Sequence, residues 1–424
     1  MKYVIKQLKN KLQIVFIPMA SRKSVSASIW VKTGGRYENA ANSGISHFLE
    51  HLVFRGTKEK TAKDIKQSIE GVGGSLNAFT SQETTCYFAK VPQKYAVRAI
   101  DVISDIVINP LMKTEDIVKE KMIIAEEIRM YKDMPAYHVS DVLGEIMWPG
   151  HPLGRSLAGT YKTVNATSQK MLEDYKQEHY CPSNMALIIT GSVKIDSLSK
   201  KINSLFGLLK PGGRGNFKNY VNRQKKASFN FLNKDTEQTH LSLGFHTPSR
   251  SHPDRYAFGV LSVILGGNMS SRLFEKVREE SGLAYQISTS IKKYCDTGVF
   301  TIDAGIRNKK TIEALGLILK ELALIKKETV KTDELKRAKE FLTGQLLINL
   351  EDTMDNMLWA GEKVTLEGRM PDIKKILKQI EVVSVDDIKR VAGSILKENN
   401  LNLASIGPLK KDIKQIKRVI NDFS

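Results

Sequence analysis

Apolar and polar positions alternate through residues 2–32, in Leu12–Pro18 and again in Val25–Val31, and a period of two predicts β-strands there. Past the Gly34-Gly35 turn the period lengthens to that of a helix, from about Gly44 to Phe54. A second helix is predicted over 62–72 and is closed by Gly73-Gly74. Strand patterning returns at 75–91, in Leu76–Thr80 and Thr85–Val91, and long helices are predicted over about 94–107 and 114–132.

The pattern breaks at 208–225, where Gly and Pro cluster among polar residues, and this reads as a linker. The second half then repeats the order of the first. Thr239–Phe245 predicts a strand and Tyr256–Leu265 a helix. Gly266-Gly267 follows, then a helix at Leu273–Glu280, strands at Ala284–Ser290 and Gly298–Ala304, and helices from 309 onward. The repeat lies in element order and glycine placement. It predicts an N-terminal domain over 1–212, a linker over 213–225 and a C-terminal domain of the same plan over 226–424. Strands grouped ahead of long helices predict an α+β class, each domain a mostly antiparallel or mixed sheet packed by helices.

The 424 residues are 41% hydrophobic and 26% charged, an ordinary globular composition with enough chain for large cores. The formal net charge of +19 is mostly dispersed Lys, and aromatics are only 7%. No basic block sits among stacking aromatics, so the charge reads as a solvated surface and no nucleic-acid partner is expected. Cys86, Cys181 and Cys295 are odd in number and far apart, which gives neither a disulfide framework nor a paired-cysteine metal site and fits a reducing compartment. Met1–Asn10 carries charges every few residues, unlike a signal or transit peptide, and no stretch approaches the length of a membrane span. A cytoplasmic protein without membrane insertion is expected.

The chemistry concentrates in Ser43–Arg55. On a helix His47, Glu50, His51 and Phe54 fall at i, i+3, i+4 and i+7, and Ile45, Phe48, Leu49 and Leu52 form the opposite stripe. The apolar stripe packs inward and turns both imidazoles and the carboxylate to the other side. Two His at i, i+4 can hold one Zn²⁺, and a Glu just before the second His can take a proton from water: this is the H-x-x-E-H arrangement. A catalytic zinc needs a third protein ligand and an open position. Glu120 and Glu127 share a helical face beside Ile123 and Ile124, and carboxylates among isoleucines are costly to bury unless paired or bound to a metal. Glu127 is the candidate ligand and Glu120 the carboxylate that orients a His, although periodicity alone equally admits two charged surface residues.

These residues resemble those of the insulinase–pitrilysin family, and most closely its half-length branch, which includes the catalytic subunit of the mitochondrial processing peptidase and bacterial processing-type zinc peptidases. Gly35–Glu38, Gly44–Thr57, and Gly73–Thr80 with Glu83 and Tyr87 match the family's blocks. Glu127 lies 76 residues after His51, where the family has its third ligand, and Glu120 stands at its supporting Glu. His151–Gly159 and Tyr180–Met185 are further landmarks, and Ser271–Tyr285 looks like its Arg/Tyr segment.

The resemblance implies a zinc endopeptidase for short or unfolded peptides, of the processing type, with one Zn²⁺ per chain and Glu50 as general base. It implies that Arg278 and Tyr285 contact substrate and help polarise the scissile carbonyl. It implies a clam-like half-chamber completed by a homodimer or by a heterodimer with a related subunit. The strand around Asn77, Ala78 and Phe79 is expected to pair with an extended peptide. Two other classes compete. A non-catalytic assembly subunit is disfavoured because such members usually erode the zinc residues. A nucleic-acid binder would leave the His and Glu constellation unexplained.

Overall fold

The computed structural model describes residues 2–213 and 215–423; Arg214 of the expected linker lies outside the described residues, as do Met1 and Ser424. The chain forms two units, neither contiguous in sequence. One comprises Met1–Arg129, Arg155–Lys218 and Leu347–Ile373; the other comprises Met130–Gly154, Asn219–Leu346 and Lys374–Ser424. The expected boundaries at 1–212 and 226–424 are corrected accordingly. Segment 130–154 packs with the second unit and 347–373 with the first, because each carries an apolar helix that covers a sheet face there.

In the first unit the strands are β1 (Val4–Gln7), β2 (Gln13–Pro18), β3 (Ser24–Val31), β4 (Ser75–Thr80), β5 (Thr85–Pro92) and β6 (Met185–Gly191). They form one sheet in the order β1-β2-β6-β3-β5-β4, with β2 and β6 parallel and the other pairs antiparallel. Period-two alternation sends Leu12, Ile14, Phe16, Ala27, Ile29, Tyr87, Ala89, Leu187 and Ile189 to one face. There they bury the apolar stripes of the helices Ile45–Leu52, Ala96–Ile108, Thr114–Asp133 and Gln169–His179. The opposite residues Val15, Ile17, Trp30, Phe88 and Ile188 pack under Met357, Ala360 and Val364 of the helix Thr353–Glu367. Asp352 caps that helix by accepting from the amides of Met354 and Asp355, and it pairs with Lys90 at 2.7 Å. Thr353 meets the hydroxyls of Ser24 and Ser26 on β3.

The second unit has β7 (Ser228–Asn233), β8 (Gln238–Thr247), β9 (Ala284–Lys293), β10 (Gly298–Arg307) and β11 (Leu401–Gly407), in the order β7-β11-β8-β10-β9. Here β7 and β11 are parallel and the rest antiparallel. Apart from β1, this is the order of the first sheet, strand for strand. Helices including Arg255–Gly266, Thr311–Lys327, Val385–Ile395 and Ile413–Asn421 cover one face. The helix Pro135–Met147 covers part of the other, placing Val139, Val142, Leu143 and Met147 with Val299, Ala404 and Ile406. The α+β class with mixed sheets is therefore as expected. No helix among the described residues is long and apolar enough to cross a membrane.

Candidate metal centre

The histidine helix, Ile45–Leu52, starts at Gly44 with φ +91°, in the left-handed region that favours glycine; a Cβ there would lie 2.7 Å from the carbonyl oxygen of Ala158. No side chain of its own first turn caps the helix. Glu38 does so from outside, accepting from the amides of Gly44 at 2.7 Å and Ser46 at 2.9 Å. Burial raises the pKa of Glu38, against these hydrogen bonds and the charge of Arg155. Arg36, two residues earlier, is buried and pairs with the buried Glu83 at 2.7 Å. As the spacing predicts, Ile45, Phe48, Leu49 and Leu52 are fully buried, while His47, Glu50, His51 and Phe54 are only half-buried.

The second contributor is the helix Thr114–Asp133, which buries Ile117, Ile124 and Ile128 and leaves Glu120 and Glu127 toward the histidines. His47, His51 and Glu127 each offer a donor atom within 4.8 Å of the other two, the one such group of three or more among the described residues. Oε2 of Glu127 lies 3.7 Å from Nε2 of His47 and 3.5 Å from Nε2 of His51. That oxygen is buried and has no hydrogen-bond partner among the described residues. A buried anionic oxygen facing two imidazole nitrogens is costly unless a cation joins them, so the three residues fit a divalent metal of the kind that takes nitrogen and carboxylate donors.

Glu120, 2% exposed, sits behind this set. Its Oε2 lies 3.2 Å from Nδ1 of His51, and its Oε1 accepts from Nε of Arg55. Burial raises its pKa, but the bonds to His51 and Arg55 and their charges outweigh this and leave it lowered. Burial and the neighbouring His51 lower His47 to about 4, so its imidazole is neutral, the form that donates a lone pair. For His51 burial lowers the pKa, and the surrounding carboxylates outweigh it and raise it. Burial raises Glu50, while Thr80 donates to its Oε2 at 2.5 Å.

The other expected residues fall in two places. Asn77, Ala78 and Phe79 lie on β4, an edge strand that pairs with β5 on one side and with no strand of the described residues on the other. Ala78 packs on the core that holds the histidine helix. Phe79 points to the other face, edge-on to Trp30 at 5.6 Å, and Asn77 is exposed with Oδ1 accepting from the amide of Ala78. Arg278 and Tyr285 belong to the second unit. Arg278 lies on a π-helical turn, Phe274–Glu280, over the ring of Phe274 at 4.5 Å. Tyr285 is exposed on edge strand β9, at the point where the register against β10 slips between Gly305 and Ile306, a bulge that turns its side chain out.

Sequence reading missed three participants. Arg55 could have been found, since it follows His51 by four residues and a buried Glu120 calls for a cation. Thr80 follows Leu76 and Ala78 at even spacing and so shares their face of β4. Glu38 leaves no periodic signal.

Comparison with known proteins agrees with this architecture. The family description "Insulinase (Peptidase family M16)" matches residues 14–161, and "Peptidase M16 inactive domain" matches 167–342. The uncharacterized zinc protease YmxG of Bacillus subtilis is 34% identical over 401 residues, 94% of this chain and 97% of that protein. An uncharacterized zinc protease of Streptomyces coelicolor is 35% identical over 409 residues, 95% of this chain and 89% of that one. A crystal structure of a protease from Helicobacter pylori shares the fold, with a TM-score of 0.89 over 96% of this chain and 100% of that one at 24% identity. With relatives above 30% identity along nearly its whole length, the chain belongs to the insulinase family, peptidase family M16.

Proposed function

We propose that this chain is a zinc-dependent endopeptidase of the processing type, with one ion per chain held by His47, His51 and Glu127, that cleaves short or unfolded peptides. The observation that carries the reading is the three-donor group, with its buried, unpartnered carboxylate oxygen between two imidazoles and Glu50 on the same helix face. The zinc-protease names of the relatives point the same way. Two histidines and one carboxylate leave a fourth position open, as catalytic zinc sites do.

Zinc in such a set supplies Lewis acidity, which polarises a scissile carbonyl and makes water easier to deprotonate. Glu50 takes the proton from the attacking water and returns it to the leaving amine. Thr80 occupies Oε2 of Glu50, which leaves Oε1 to handle that proton. Glu120 fixes the ring of His51 through Nδ1. An extended peptide adds to the free edge of β4, where alternate residues along Asn77, Ala78 and Phe79 turn their main-chain groups away from β5 and no side-chain sequence is required. Arg278 and Tyr285 contact the substrate, and pairing with an identical or related chain belongs to the same reading.

Hydrolysis of a quenched peptide library tests this, with chelator and with zinc restored. Cleavage lost to chelator and recovered with zinc is expected. Glu50→Gln is expected to keep zinc and lose about 10²-fold or more in turnover. Chelator-resistant cleavage, or full turnover by zinc-loaded E50Q, would refute the assignment.

A further inference from the structure

We infer that Arg55 is a positioning residue of the metal site: its guanidinium fixes the plane of Glu120, Glu120 fixes the ring of His51, and zinc affinity depends on the whole chain of contacts. The inference rests on the zinc reading above and extends it outward by one residue.

Arg55 closes the 3₁₀ turn Val53–Arg55 that prolongs the histidine helix. It follows His51 by four residues and His47 by eight, so it stays on their side. The next residue, Gly56, has φ +146° and bridges to Thr61, and Thr57 bridges to Pro110. The chain therefore turns away directly after Arg55 and leaves its side chain at the site. Nε of Arg55 donates to Oε1 of Glu120, and Oε2 of Glu120 meets Nδ1 of His51 at 3.2 Å. Each oxygen of Glu120 thus has its own partner. Glu120 is 2% exposed, so water has little access to replace either one.

A carboxylate held at one oxygen can still swing about its last torsion. Held at both, its plane is set, and a rigid planar guanidinium sets it better than a flexible ammonium. The His51 ring then donates from Nδ1 and keeps the lone pair of Nε2 for the ion. Arg55 acts through Glu120 and binds no donor atom of the set.

The test is the zinc dissociation constant of wild type, Arg55→Gln, Arg55→Lys, Glu120→Gln and the double variant R55Q/E120Q, measured against a competing chelator. Thermal melts of the metal-free forms accompany it. R55Q is expected to bind zinc about tenfold or more weakly, as loss of such outer partners generally does, and its metal-free melt reports separately the cost of leaving the buried Glu120 without its cation. R55K should fall between R55Q and wild type, and R55Q/E120Q should be no weaker than E120Q, because both act along one path. Wild-type affinity in R55Q, or losses that add in the double variant, would overturn the inference. If R55Q does not fold, wild-type affinity in R55K overturns it equally. A wild-type protein that binds no zinc would instead sink the zinc reading itself, an outcome distinct from zinc-binding wild type with an indifferent Arg55.

Discussion

Thr80 ends an edge strand, yet its hydroxyl sets the carboxylate of Glu50 on a helix 30 residues away in sequence. A hydrogen bond to a charged group contributes about 1.5–3 kcal/mol, and each ~1.4 kcal/mol is tenfold in rate. Thr80→Val should therefore lower kcat roughly ten- to a hundredfold with zinc content and KM little changed, and Thr80→Ser should restore it. An unaltered kcat in T80V would show that Glu50 needs no such support. Away from the three donor residues, Ser384 and Asp387 close a capping box on the helix Val385–Ile395, and Arg390 bonds Asp387 at 2.8 Å. The Arg390 bond, with those from Ser384, lowers Asp387 to about 2. A depressed carboxylate stabilises the fold above its unfolded pKa, about 3.9, and the contribution fades as pH falls through the folded value. Asp387 is solvent-screened, so the effect should stay below about 1 kcal/mol. The melting temperature of Asp387→Asn should trail wild type at pH 6 by a gap that narrows as pH falls below about 4 and closes only below pH 2. A gap that persists there would assign the difference to something other than the charge. At this scale the histidines and Glu50 are legible because one helix carries all three at fixed spacing. Arg55 and Thr80 carry a spacing signal for the face they share but none for the group they hold, and Glu38 carries neither, because what each holds becomes a neighbour only after folding.

The two sheets share one strand order, and their least legible members are the two that define it. β6 and β11 each insert between earlier strands, beside parallel partners, and are buried along their whole length. Strands covered on both faces have no polar side to alternate with, so Met185–Gly191 and Leu401–Gly407 lack the period of two that marks β2 and β3. Short apolar runs of this kind also resemble pieces of buried helix, which is how 401–407 disappears among the helices expected after 309. The helix Thr353–Glu367 shows how closely a covering element fits. A Cβ on Gly361 would lie 1.9 Å from Nε1 of Trp30, whereas one on Gly393, in Val385–Ile395, would meet nothing within 4 Å. Alanine gains up to ~1 kcal/mol of helix propensity at either position, but overpacking costs ~1–3 kcal/mol. Gly361→Ala should therefore destabilise by about 1–2 kcal/mol in urea unfolding and Gly393→Ala should stabilise slightly. Equal stabilisation by both would mean that the helix does not press on Trp30.

Each half of the chain lends a helix to the unit built mainly from the other half: 347–373 lies in the first and 130–154 in the second. Nothing in the linear pattern announces this. An apolar helical stripe states that it must be covered but not by which sheet, and contiguity is the natural default for domain boundaries. The exchange has a consequence for truncation. A fragment ending at Lys218 keeps all six strands of the first sheet but loses Thr353–Glu367, and it retains Pro135–Met147 without the sheet that helix covers. Val15, Ile17, Trp30, Phe88 and Ile188 would then face water. At ~1.5–3 kcal/mol for each buried side chain the loss is on the order of 10 kcal/mol, an upper figure comparable to the ~5–15 kcal/mol that holds a whole domain folded. The fragment 1–218 should therefore bind a hydrophobic dye and melt without a cooperative transition. A peptide spanning 347–373, added in trans, should quench the dye and restore cooperativity, since it supplies the missing layer with its Asp352 cap and its Thr353 contacts to β3 intact. A fragment that already melts cooperatively and ignores the peptide would show that the covering helix is dispensable to the sheet that presents the histidine helix.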